Sequence, residues 1–175
     1  MRLLRRALVL LLTVPAVHLA GAAPAAAAAA ADDYPWRLSQ AGADAYGFTT
    51  RQCVSFVAWR LAQRGTPLDN AREGWGDARA WDEAAKRLGH RVGRVPVVGA
   101  VAHWDQHERS PLYTGGPRLR GTMRTGAYGH VAWVQYVHTD GSATVAHYNG
   151  TGTRSFSTSR VRAPRYLYVG VGAPG

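Results

Sequence analysis

Cysteine occurs once in 175 residues, at position 53. No intrachain disulfide can form, so the fold rests on its core rather than on covalent cross-links. Lysine is equally scarce. Lys86 stands alone, and arginine carries nearly all of the positive charge. The 11 acids are outnumbered by 21 basic residues, giving a formal net charge of +10. Beyond residue 31 no stretch approaches the ~20 consecutive apolar residues of a membrane span. No internal repeat is present, which excludes solenoid and propeller architectures.

The N-terminus has its own character. Arg2, Arg5 and Arg6 precede an apolar run from Ala7 to about Ala20, and small residues continue through Ala31. This is the layout of a secretory signal peptide, with cleavage expected after Ala23 or near Ala31. Residues 1–31 hold three arginines and no acid, so the remaining 144 residues, 32–175, carry +7. They suffice for one domain with a real core. A basic exported domain is drawn to anionic surfaces, among them bacterial wall polymers and nucleic acid. In an oxidising compartment a lone thiol must be either buried or used.

Arg51 to Arg64 has a helical period, with Phe56, Val57 and Leu61 on one face. Thr49 and Thr50 offer N-caps, Gly65 a C-terminal stop, and Pro67 prevents continuation. Cys53 therefore falls in the first turn. A second helix is expected after Asp77, with Trp81, Ala84, Ala85 and Leu88 as its apolar stripe and Gly89 as its end. The period then shortens. Residues 97–104, 130–139, 143–149 and 165–169 read as strands. Residues 105–128, rich in Gly, Pro and Arg, read as a long loop. Helices first and antiparallel strands after give an α+β domain.

Asp140-Gly141 reads as a two-residue hairpin turn. That register sets Val134 opposite His147 and Ala132 opposite Asn149. His130, Ala132 and Val134 then share a face with Val145, His147 and Asn149, and His130 lies diagonal to Asn149. A cysteine nucleophile needs a lowered pKa, a base, and a group that orients the base. The helix N-terminus supplies the first to Cys53, His130 the second, and Asn149 the third. Free N–H groups at the helix end could hold an oxyanion, with Gln52 as an added donor.

Two other readings compete. His103 and His107, with Cys53 or His147, could make up a zinc set, but the four-residue spacing suits a helix and the segment reads as strand. Alternatively the chain is a basic, non-catalytic protein that binds wall or nucleic acid. No nucleic-acid motif supports a specific partner of that kind. Binding that survives Cys53→Ala, without hydrolysis by the wild type, would favour this alternative.

Four stretches resemble the CHAP family, the cysteine- and histidine-dependent amidohydrolases/peptidases. They are Arg51-Gln52-Cys53-Val54-Ser55-Phe56-Val57-Ala58-Trp59-Arg60, Gly76-Asp77-Ala78 leading to Trp81, Pro96-Val97-Val98-Gly99-Ala100-Val101-Ala102, and Gly129-His130-Val131-Ala132-Trp133-Val134. The resemblance implies a papain-like fold, with N-terminal helices packed on an antiparallel sheet. It implies hydrolysis of peptidoglycan amides by a secreted monomer through an acyl-enzyme, with no cofactor and no metal. The bond would be that cut by an N-acetylmuramoyl-L-alanine amidase or by a cross-bridge endopeptidase. Cys53 and His130 match the family's catalytic pair. The family often places a Glu and then an Asn, two positions on, along the next strand. Here those positions hold His147 and Asn149, which makes Asn149 the expected orienting residue and leaves His147 a secondary candidate.

Overall fold

The computed structural model describes residues 31–114 and 116–175. Apart from Ala31, the expected signal peptide lies outside the described residues. Among the described residues no helix is long and apolar enough to cross a membrane.

Helix α1 spans Cys53–Gln63 and buries Phe56, Val57, Ala58 and Leu61. Gly65 closes it at φ +80°, as a residue without Cβ does most readily. The start of α1 differs from expectation. Gln52, not a threonine, occupies the N-cap position, and its side chain makes no capping bond. Thr50 is committed upstream, where its hydroxyl donates to the Gln40 carbonyl at 3.0 Å and accepts from the Gly42 N–H at 3.2 Å. A short helix not anticipated from sequence, α2 (Asn70–Glu73), is capped by Asp69. Then a 3-10 turn at Ala78–Ala80 leads into α3 (Trp81–Arg87).

Eight antiparallel strands follow: β1 (Val92–Gly93), β2 (Val101–Trp104), β3 (Arg109–Tyr113), β4 (Leu119–Arg124), β5 (His130–Val137), β6 (Ala143–Tyr148), β7 (Phe156–Val161) and β8 (Arg165–Leu167). Their order in the sheet is β1-β8-β2-β5-β6-β7-β3-β4. The strand expected from Val97 begins only at Val101, because Gly99 turns the chain at φ +87°. The loop expected over 105–128 contains the β3–β4 hairpin. Trp104 Nε1 donates to Ser110 Oγ at 2.8 Å, joining the third and seventh strands of the order, so the sheet is curled. The architecture is α+β, as expected.

Two cores result. Outside the curl, Val101, Val131, Trp133, Ala146 and Leu167 pack with Phe56, Trp59, Trp75 and Trp81 from the helical layer. Inside it lie Ala102, Trp104, Ala132, Val134, Val145, Val161 and Tyr166. Each fully buried large side chain contributes roughly 1.5–3 kcal/mol.

The β5–β6 register corrects the two-residue turn. His138 N–H donates to the Ser142 carbonyl at 2.8 Å, leaving Thr139-Asp140-Gly141 as a three-residue loop with Gly141 at φ +79°. This arrangement closes hairpins with an added bulge. It pairs Val137 with Ala143 and shifts the register by one residue. A second irregularity at Gln135 shifts it by one more, so that Val134 pairs with Val145 and Trp133 with Ala146. The two shifts cancel in parity. His130 and His147 therefore share a face, as expected, but it is His147 that now stands diagonal to His130.

Candidate active site

A cleft of about 910 Å³ opens where the N-terminus of α1 meets the ends of β5 and β6. Gln52, Cys53, His130 and Asn149 line it, together with Asp77 and with Met123–Gly126, where β4 ends and the chain leaves it. Cys53 is the first residue of α1. Arg51, just before it, sits at φ +62°, a conformation that costs a non-glycine residue about 1–2 kcal/mol and is concentrated at functional sites. The Tyr34 hydroxyl accepts from the Arg51 N–H at 3.3 Å and helps to hold that turn.

The thiol differs electrostatically from expectation. Burial pushes the Cys53 pKa up, while the N–H groups of Val131, Val54 and Cys53 itself pull it down, and Asp77 raises it further. Desolvation outweighs the helix end, which favours the neutral thiol over the thiolate.

His130 is buried, with its Nε2 2.8 Å from His147 Nδ1. Burial lowers the pKa of His130 well below the ordinary imidazole value, and the neighbouring His147 and His103 push the same way. Burial also depresses His147, from 6.5 to about 4. Both rings are neutral at pH 7. On its far side His147 Nε2 lies 3.1 Å from each of the Ser157 and Ser159 hydroxyls on β7. These two serines belong to a strand that sequence reasoning missed. Their i, i+2 spacing was the available signal.

Asn149 stands elsewhere. The expected bond to the far nitrogen of His130 is replaced by His147. Asn149 sits at φ +57° just after β6, its Oδ1 accepts from the Arg154 N–H at 2.9 Å, and its Nδ2 donates to Gln52 Oε1 at 2.6 Å. With its oxygen occupied, the Gln52 amide has its N–H₂ left for the cleft.

His103, weighed as a metal ligand, is fully buried and has both nitrogens engaged. Its Nε2–H donates to the Ala78 carbonyl at 2.8 Å, and its Nδ1 accepts from Arg165 at 3.1 Å. Among the described residues no three His, Cys, Asp or Glu side chains gather as a metal site.

A cysteine opening a helix beside a histidine pair on an antiparallel sheet defines an α+β domain with a candidate thiol–imidazole centre. The CHAP domain family matches residues 43–149, and the chain belongs to that family. It is 33% identical over 104 residues to the "Probable autolysin SsaALP" of Staphylococcus aureus, covering 59% of this chain and 31% of the relative. Over 127 residues it is 30% identical to the "Staphylococcal secretory antigen SsaA" of Staphylococcus epidermidis, covering 69% and 40%. Among solved structures it resembles an N-acetylmuramoyl-L-alanine amidase from Staphylococcus aureus, with TM-score 0.51, 26% identity, and coverage of 66% of this chain and 30% of that one. The chain thus spans well under half the length of these relatives.

Proposed function

We propose that the chain is a cysteine peptidoglycan hydrolase of papain-like organisation, exported after removal of residues 1–31, with 32–175 as its catalytic domain. The observation that carries this reading is the His130–His147 pair at 2.8 Å in the cleft that also holds Cys53. The names of the relatives, an autolysin and secretory antigens, support action on the wall outside the cell. The amidase structure favours the bond between muramic acid and L-alanine over a cross-bridge amide.

His147 engages His130 Nε2, so Nδ1 is the nitrogen left to act on the thiol. For Nδ1 to accept a proton, Nε2 must carry one and donate to His147 Nδ1. His147 then carries its proton on Nε2 and donates to Ser157 or Ser159. One directed chain of hydrogen bonds thus fixes the tautomer of the base, the task a carboxylate or amide performs in related centres. The Cys53 thiol gives its proton to His130 as its sulfur attacks the amide carbonyl, and the imidazolium then protonates the leaving amine. Water activated by His130 releases the acyl group and restores the thiol. The Gln52 N–H₂, held by Asn149, and the amides of the first turn of α1 face the developing oxyanion. Asn149 is therefore a positioning residue for Gln52, and His147 is one for His130.

The test is digestion of purified peptidoglycan followed by mass analysis of the fragments. Wild type releases fragments whose masses identify the bond, and Cys53→Ser loses roughly a thousandfold or more in rate. Undiminished cleavage by Cys53→Ser would sink the mechanism.

A further inference from the structure

Four arginines of the Arg-rich 105–128 segment come together on one hairpin. Arg109 lies on β3, Arg120 and Arg124 on β4, and Arg118 immediately before β4. All four are exposed. Among the described residues none forms an ion pair or donates a side-chain hydrogen bond. The acids elsewhere are engaged differently: Glu108, next to Arg109, accepts from Arg165 at 2.9 Å, and Asp140 from Arg160 at 2.8 Å.

The placement is costly. Arg109 and Arg124 are direct cross-strand partners, and like charges facing each other across a strand pair are destabilising. Ser110, Leu112 and Met123 turn toward the interior of the curl, so Arg109, Arg120 and Arg124 alternate to the outside. β4 is an edge strand, last in the sheet order. At a rise of ~3.3 Å per residue, Arg120 and Arg124 lie about 13 Å apart. Arg124 ends the row at the cleft wall. A row of this length, open along an edge and free of acids, matches a chain of anionic repeats better than a single small anion.

We infer that the β3–β4 hairpin is a docking edge for a linear phosphodiester polymer of the bacterial wall, lying along β4 toward the catalytic cleft. The choice of a wall polymer over other polyanions rests on the wall-acting reading above. The docking edge itself is independent of catalysis.

The test uses Cys53→Ala protein, so that binding is read without hydrolysis. It is mixed with sedimentable walls that carry their phosphodiester polymer and with the same walls after chemical removal of that polymer. Binding to intact walls should be stronger and should weaken steeply between about 50 and about 200 mM salt. Arg109→Gln/Arg118→Gln/Arg120→Gln, added to Cys53→Ala, should bind intact walls about tenfold more weakly, with a shallower salt dependence. Its binding to stripped walls should match that of Cys53→Ala. The corresponding triple lysine variant keeps the charge and should retain most of the binding, which separates a docking defect from a folding defect. With Cys53 intact, the glutamine variant should turn over soluble muropeptides at the wild-type rate. Equal binding of the glutamine variant and its parent, or equal binding to intact and stripped walls, overturns the proposal. Duplex DNA competing as well as the isolated wall polymer overturns the assignment to a wall partner. A hydrolase that docks nowhere, or a docking protein that cuts nothing, would separate the fate of this proposal from that of the catalytic one.

Discussion

At the level of single residues, the proposed centre depends on a neutral imidazole orienting another neutral imidazole. His147 accepts a hydrogen bond but adds no negative charge, so nothing beside His130 raises its pKa. The acid limb of kcat/KM should therefore lie below the ordinary histidine value. His147→Glu should move that limb to higher pH, by about one pH unit, because a carboxylate favours the imidazolium. His147→Ala should lower kcat by about a hundredfold or more, and His147→Asn should restore part of it. A pH–rate profile on a soluble amide substrate measures all three, and an unmoved limb in His147→Glu would count against the pairing. The same burial affects stability. His147 titrates at about 4 folded and 6.5 unfolded, so between those values the unfolded chain binds more protons. Stability is intact above about pH 6.5 and is lost as pH falls toward 4, by up to ~3 kcal/mol for this group. Urea denaturation from pH 7 to pH 4 should show that slope, and His147→Asn should reduce it, leaving the same-signed part that buried His130 and His103 contribute. That Cys53 and His130 would meet in one cleft was legible in the sequence through the helical period that follows Cys53, the strand that begins at His130, and the resemblance to the CHAP family. Which of His147 and Asn149 lies against His130 was not, because it turned on a loop one residue longer than Asp140-Gly141 suggested and on an extra residue at Gln135.

At the scale of elements, two glycines set the geometry of the site. A Cβ on Gly150 would lie 2.4 Å from His147 Cε1 and 2.6 Å from its Nδ1. Gly150→Ala should displace the ring from His130 and cut kcat at least tenfold, with a smaller effect on KM. Gly129 is tighter still, since a Cβ there would meet the Arg79 N and the Trp104 carbonyl at 2.7 Å, at φ +71°. Both contacts are backbone and cannot rotate away. Gly129→Ala should cost ~2 kcal/mol or more in stability, read from a chemical melt. Elements with a strong apolar period were readable in advance: α1 through Phe56, Val57 and Leu61, and β5 and β6 through their valines. β7 was missed because Phe156-Ser157-Thr158-Ser159-Arg160 offers almost no apolar alternation. Its serines face His147, and its pairing with β6 holds it in the sheet. β3 was missed because Pro111 argues against a strand, yet it pairs with the edge strand β4 and, at Leu112 and Tyr113, with β7.

At the scale of the whole molecule, the segment before α1 belongs to the fold. Tyr34 is fully buried among Trp36, Phe56, Trp59 and Tyr148. Its hydroxyl bonds the Ser55 hydroxyl, which in turn donates to Asp44. The Tyr148 hydroxyl donates to Asp32 at 2.6 Å. Tyr34→Ala should therefore destabilise by ~3–5 kcal/mol in a urea titration, a large share of the stability of an ordinary domain. The distribution of the reactive groups along the chain has a temporal side. A polypeptide synthesised from its N-terminus presents Cys53 about a hundred residues before Ser157 and Ser159 follow. Until β7 is in place beside β6, His147 lacks the serines that set its proton and His130 lacks a fixed base form. Under the proposed chemistry, a partly emerged chain carries its nucleophile but cannot use it, and hydrolytic competence arrives only with the last third of the protein.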